Sequence, residues 1–334
     1  MTDARSMAAD ARPYHDELAR LFRANRAAIG ITDPIDTLTT TTLGVGESNL
    51  SLRVDVNGRE SFTARLAYRP DAEAHLAREF EHLTLLPAGV GPTPLYLDTS
   101  RREMPYPCAI LSFVPGEPRA DWSVEDLRAH AATLARLHHH QVPYWGSIGE
   151  EHERPFDMRQ RFHKSLDYWK AAYPYLFEID VVARLVPRLD AYIDAHSNLF
   201  TSLPAFSLVH GDPCVPNILF DQGEVHYIDW EWMVWGDPAL DVAQVGWDIA
   251  NPPWQLALTG DRLDAYLHAY QAHRPDPTVR ERREVWMAYI KFFDHLHYRT
   301  KARPPHIEAS NVSPDHYAAT VDRIVGSLVV QFLP

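Results

Sequence analysis

Leu208-Val-His-Gly-Asp-Pro-Cys-Val-Pro-Asn-Ile-Leu-Phe220, running on through Ile228-Asp-Trp-Glu231 to Gly236-Asp-Pro-Ala-Leu-Asp241, decides how this chain is read. His210, Asp212, Asn217 and Asp229 stand on short loops beside apolar, strand-like runs at 206–209, 218–220 and 225–228, where burial fixes their geometry. The spacing suits phosphoryl transfer. That reaction needs a carboxylate to accept or orient the proton of the attacking hydroxyl, and hard oxygen ligands that hold Mg²⁺ against nucleotide phosphates. Asp212, with Asn217 five residues later, matches the Asp-x4-Asn spacing of such a catalytic loop, the Asp serving the nucleophile and the Asn the metal. Asp229, reached through the tight turn Asp221-Gln222-Gly223, is the expected second ligand. One Asp and one Asn suffice for an ion that keeps several waters.

His-Gly-Asp-x4-Asn, then Ile-Asp-Trp-Glu, then Gly-Asp-Pro-x2-Asp, in this order and at these separations, resembles the aminoglycoside phosphotransferase and choline kinase superfamily of small-molecule kinases. The resemblance implies an α+β, protein-kinase-like two-lobed fold with a small antiparallel β-sheet N-lobe and a mostly helical C-lobe. It implies ATP or GTP as phosphoryl donor, Mg²⁺, and a small hydroxylated acceptor. It also implies that His210 anchors the catalytic loop by hydrogen bonds and is not itself the base. Cys214 departs from the polar or basic residue common at that position, which removes side-chain help to the γ-phosphate from there.

Composition sets the outer limits. A chain of 334 residues, 46% apolar and 23% charged, is long enough for two sizeable cores. A net charge of −13 argues against a nucleic-acid partner and favours a cationic acceptor, although acidity also simply keeps proteins soluble. Two cysteines make no disulfide or metal framework, and no apolar run reaches membrane-spanning length, so the expected location is the cytoplasm, with no membrane partner. Only four lysines occur, none before Lys164. A cation needed in the first half is therefore Arg or His.

The first lobe is expected over 1–114, the second over 115–334. A leading amphipathic helix over 13–30 carries Leu18, Leu21, Phe22 and Ile29 and is closed by glycine. Leu50, Leu52, Val54 and Val56 then alternate with polar residues, Asn57-Gly58 turns, and Phe62, Ala64 and Leu66 resume the alternation. Before this hairpin, Gly44, Gly46, Ser48 and Asn49 make a strand-to-strand turn able to lay amides over phosphates; two glycines in a turn also mean simply a turn. The resemblance favours the phosphate reading, and makes Arg65 the cation that holds the α- and β-phosphates. Glu79 falls inside the apolar stripe Leu76, Leu83, Leu86 of the next helix, and an acid there costs several kcal/mol, on the order of 3–5, unless paired. Arg65 is its natural partner. By resemblance, the backbone of Ser112, Phe113 and Val114 meets the adenine edge, before the stiff break Pro115-Gly116-Glu117-Pro118.

In the second half, Ser123-x-x-Asp126 caps a helix, and the run His138-His139-His140 makes no metal site, since adjacent helical positions diverge. Residues 155–200 read as amphipathic helix, and further helices are expected over 254–273, 277–298 and 314–332. Five of the nine tryptophans lie between Trp230 and Trp254. Trp230 and Trp235 with Glu231 and Asp248 form a candidate cage for an alkylammonium group, about 0.5–2 kcal/mol per cation–π contact, against the commoner role of clustered Trp as core. Asp241 is expected to be structural, capping backbone N–H groups under the catalytic loop. An aminoglycoside-type antibiotic is the first acceptor class by resemblance, and choline or another amino alcohol the second. Metal-dependent hydrolysis through His210, Asp212, His226 and Asp229, and a non-catalytic nucleotide-binding protein, rank below both.

Overall fold

The computed structural model describes residues 14–46, 49–69, 72–153, 155–302 and 313–333. The chain divides into two compact units, one of residues 1–116 with 226–231, the other of residues 117–225 with 232–334.

The first unit is a five-stranded antiparallel sheet with two helices. Helix α1 (His15–Ala24) is followed by a helical turn that Gly30 closes with a left-handed φ of 94°. Strands β1 (Leu38–Val45), β2 (Asn49–Val56) and β3 (Glu60–Ala67) form a meander. The β2–β3 turn is Asn57-Gly58, with φ 52° and 63°, the paired left-handed conformation that a two-residue hairpin turn requires. After helix α2 (Ala72–His82) come β4 (Pro94–Asp98) and β5 (Cys108–Ser112), giving the order β1-β2-β3-β5-β4. The alternating apolar positions all face one side. Leu50, Leu52, Val54, Val56, Phe62, Ala64 and Leu66 are buried with Leu18, Leu21 and Phe22 of α1, Phe22 meeting Phe62 edge-on at 5.5 Å between ring centroids.

The second unit is mostly helical. Helix α3 (Val124–Leu137) begins with a complete capping box of Ser123 and Asp126. Strands β6 (Gln141–Val142), β7 (Tyr144–Ser147) and β8 (Glu150–Glu153) precede helices α4 (Met158–Ala172) and α5 (Asp180–Ala195). Strand β9 (Phe206–Val209) leads to the loop of residues 210–217, β10 (Ile218–Asp221) turns through Gln222-Gly223 into β11 (Glu224–Tyr227), whose residues from His226 on count with the first unit, and β12 (Val234–Gly236) enters helix α6 (Ala239–Gln244). Helices α7 (Gly260–His273), α8 (Val279–Lys301) and α9 (Pro314–Phe332) complete the unit. The helix expected from residue 254 starts only at Gly260, because 256–257 pair in parallel with 246–247. A five-stranded sheet of order β6-β9-β12-β7-β8, which no periodicity announced, anchors the loop of residues 210–217 at the end of its strand β9.

The helical unit buries neutral histidines. Burial pushes His130 and His295 down to about 3. A lowered folded-state pKa means that the unfolded chain binds more protons, so stability is full above pH 6.5 and falls as pH drops from there towards 3. Glu79 and Asp294, whose carboxyls burial pushes up to about 7, act in the opposite sense on acidification, so the histidine share is read by difference: relative to a His295→Gln variant, the urea midpoint of the wild type should decline from pH 7.5 to pH 5. An unchanged difference would show this ring to be charged or hydrated in the folded state.

Candidate active site

The motif residues of the helical unit form one hydrogen-bonded assembly rooted in Asp241. Its carboxylate, fully buried in the first turn of α6, accepts the backbone N–H of His210 at 2.7 Å on Oδ2 and that of Gly211 at 2.9 Å on Oδ1. His138 supports it from below: Nε2 lies 3.1 Å from Asp241 Oδ2, and Nδ1 2.7 Å from the Tyr270 hydroxyl. Burial keeps His138 below its ordinary range, opposed by Asp241. A carboxylate only accepts, so Nε2–H donates to Asp241 and Nδ1 accepts from Tyr270. Sequence reading placed Asp241 under the loop. It missed His138 as a second support, because 103 residues separate the pair.

Above this root the loop folds on itself. His210, fully buried, accepts the Asp212 N–H on Nδ1 at 3.2 Å, which makes it an anchor of the loop. Gly211 takes φ 84°, and a Cβ there would land on the Trp232 carbonyl. Gly211→Ala is expected to cost at least about 1–2 kcal/mol from the left-handed backbone alone. The loss should appear both in thermal unfolding and in turnover, and an alanine variant of normal stability would contradict the geometry. Asn217 donates Nδ2–H to the Asp212 carbonyl at 3.0 Å and approaches Asp212 Oδ2 at 3.4 Å. Its amide NH₂ is thereby spent on the loop, and Oδ1 is the ligand atom left to it. Cys214 is buried, with Sγ 3.8 Å from Asp212 Oδ2.

A second assembly lies in the sheet unit. Arg65 on β3 pairs with Glu79 on α2 at 2.8 Å and with Asp229 at 2.6 Å, at 12% side-chain exposure. Glu79, 4% exposed, also accepts the Trp230 N–H at 3.2 Å. Burial, and then the Asp229 charge, push Glu79 up to about 7 against the pull of Arg65. For Arg65, burial is outweighed by Glu79 and Asp229, which hold the guanidinium above its ordinary range. Asp229 itself has φ 65°, rare for a side-chain-bearing residue, and presents its carboxylate at 39% exposure with Oδ1 on Arg65. The segment around it is held by Tyr227 N–H to the Val90 carbonyl at 2.8 Å and by His226 Nδ1 to the Gly89 carbonyl at 2.9 Å.

The glycine turn sits at the end of β1. Gly46 N–H donates to the Asn49 carbonyl at 2.8 Å, and Asn49 is buried; Ser48 lies outside the described residues. Neither Gly44 nor Gly46 has a positive φ, and a Cβ on Gly44 would meet nothing within 4 Å, so the fold itself does not require glycine there. Ser112 ends β5, its N–H donating to the Thr93 carbonyl at 2.9 Å; Phe113 and Val114 lie past the strand ladder, Phe113 under the Arg53 guanidinium at 4.4 Å.

The proposed tryptophan cage is corrected. Trp230 is fully buried with its indole N–H on the Tyr227 carbonyl at 3.1 Å, and Trp235 is buried between neighbouring strands, so neither offers a face to a ligand. Asp248 is taken by Lys291 at 2.7 Å and by Ser327. Glu231 is exposed, and its charge acts on Arg65 and Glu79. Among the described residues, no three His, Cys, Asp or Glu side chains converge as a metal set. Nor is any helix among them long and apolar enough to cross a membrane.

Solved structures share this fold at low sequence identity. Macrolide 2'-phosphotransferase MphH from Brachybacterium faecium superposes with a TM-score of 0.59 at 19% identity, over 93% of this chain and 97% of that one. Aminoglycoside phosphotransferase APH(4)-Ia, in a ternary complex with AMP-PNP and hygromycin B, gives 0.53 at 16% identity over 91% and 98%. A choline/ethanolamine kinase family protein from Mesorhizobium loti gives 0.55 at 18% identity over 93% and 95%. No curated protein matches the sequence. The fold is thus that of the protein-kinase-like small-molecule phosphotransferases. The profile of the phosphotransferase enzyme family matches residues 39–284, nearly three quarters of the chain and every motif above, and the chain belongs to that family.

Proposed function

We propose that the enzyme transfers the γ-phosphoryl group of ATP to a hydroxyl of a small cationic molecule, an aminoglycoside-type antibiotic being the first acceptor class and choline or a related amino alcohol the second. The observation that carries this reading is the loop His210 to Asn217, fixed at its root by two amides on Asp241, with Asp212 and Asn217 set against one another. In this reading Asp212 aligns the acceptor hydroxyl and takes its proton as the oxygen–phosphorus bond forms. Arg65, held by Glu79, meets nucleotide phosphates, and the amides around Gly44, Gly46, Ser48 and Asn49 cover them. The adenine edge is read by backbone at 112–114.

The donor set favours Mg²⁺. Asn217 keeps Oδ1 and Asp229 keeps Oδ2, both hard oxygens, after their other atoms are engaged. When bound, the ion neutralises phosphate charge. The chain's own part is to hold those oxygens, Asn217 through its amide on Asp212 and Asp229 through Arg65.

The test is ADP release from ATP with Mg²⁺ across a panel of aminoglycosides, macrolides, choline and ethanolamine. Acceptor-stimulated release by one class identifies the acceptor. ATP binding without release for any hydroxylated amine would count against this function, and no ATP binding would remove its basis.

A further inference from the structure

Asp294 on α8 is a half-buried carboxylate with no hydrogen-bond or ion-pair partner among the described residues. Burial alone pushes it up to about 7. One helical turn on, at i+4, stands Tyr298, and the two side chains share a helix face. The Tyr298 ring stacks on Trp254 at 5.1 Å and 24°, and on Tyr317 at 5.7 Å and 27°; Trp254 and Tyr317 stack at 6.0 Å and 16°. Tyr298 and Tyr317 are buried, whereas Trp254 reaches the surface. The stack is tied to the catalytic loop, since Val215 N–H donates to the Trp254 carbonyl at 2.8 Å. Burial raises the Tyr298 hydroxyl's pKa, and the charges of both Asp294 and Asp212 raise it further, so the two carboxylates act on one phenol.

An unpaired carboxylate out of bulk water costs stability unless a cation completes it, and an aromatic face beside it suits an organic ammonium better than a metal ion. We propose that Asp294, beside the Trp254–Tyr298–Tyr317 stack, binds the ammonium group of the acceptor and so directs its hydroxyl to Asp212. The proposal rests on the phosphotransferase reading above and adds to it the position of the cation. It also replaces the discarded cage of Trp230 and Trp235 by a site on the same unit as the catalytic loop.

The experiment compares wild type with Asp294→Asn, which keeps the shape and removes the charge. On whichever panel amine is turned over, the variant should raise KM about 10- to 100-fold with kcat within about twofold, the range of a charge-assisted contact. Where that acceptor carries a primary or secondary amine, its N-acetylation should impair the wild type and leave the variant's KM unchanged. Equal KM values for both proteins on the free amine overturn the proposal, whereas wild-type silence on the whole panel overturns the function beneath it. A readout independent of turnover is thermal unfolding at pH 8. There Asp294→Asn should raise Tm, and 50 mM tetramethylammonium chloride, against sodium chloride at equal ionic strength, should raise Tm of the wild type only. A lowered Tm in the variant, or an equal tetramethylammonium response, assigns Asp294 to packing.

Discussion

Asp212→Asn lowers acceptor-dependent ADP release by about 10²- to 10⁴-fold, the usual contribution of a positioned proton acceptor, and leaves nucleotide affinity within about twofold. The asymmetry follows from what the side chain touches. The loop is held by Asp241 through the amides of His210 and Gly211, and by Asn217 through the Asp212 carbonyl, so the amide substitution keeps every one of these backbone bonds. Only the carboxylate's capacity to take a proton is lost. Steady-state kinetics beside a nucleotide titration decide the matter. A variant with activity within fivefold of wild type would falsify the assignment of Asp212 to the nucleophile, and one that also loses nucleotide binding would mean that the substitution had disturbed the loop.

Asp237→Ala gives the largest expected loss of stability. Both oxygens of this buried carboxylate are used: Arg282 Nε at 3.0 and 3.1 Å, the Trp286 indole N–H at 2.8 Å and the Ala239 amide at 3.0 Å. Arg282 is also bound by Asp276, 2.7 Å from Nη2, but alanine at 237 leaves its Nε, the indole and the helix amide without acceptors in a dry interior. Breaking one side of such a pair costs about 3–5 kcal/mol, or on the order of 10 °C in Tm for a domain of this size. Adding Arg282→Met should recover part of the loss, since the two side chains share one network. A drop below about 2 °C, or no recovery in the double variant, would mean that water reaches the site.

How much of this was legible depends on how local each signal is. Asn57-Gly58 was readable because both turn residues must take positive φ and these two tolerate it. Glu79 was readable because an acid on an apolar stripe demands a partner, and Arg65 stood on the neighbouring strand. The Asp-x4-Asn loop was readable for the same reason of short spacing. The Arg282–Asp237 pair, the His138–Asp241 support and the sheet of β6 to β12 were not, since their partners lie far apart in sequence and their strands span two to four residues, too few for alternation to register. The tryptophan cage misled because composition locates aromatic rings without saying which way they face. Trp230 and Trp235 turned inward to the core, and Trp254 reaches the surface. Asp294 gave no signal at all, one acid among many on a long helix, until its lack of a partner could be seen.

Residues 226–231 belong with the sheet although the chain on either side belongs with the helices. Neither unit is therefore an uninterrupted stretch of sequence. A fragment ending at Gly116 would carry Arg65 and Glu79 without Asp229, and Glu79 without the Trp230 amide that it accepts. Exchange of the N-terminal portion between relatives at that single junction would bring a foreign arginine to a native aspartate. A workable chimera has to transplant the six-residue strip along with the sheet, so the two units are inherited as one reading frame rather than as interchangeable modules.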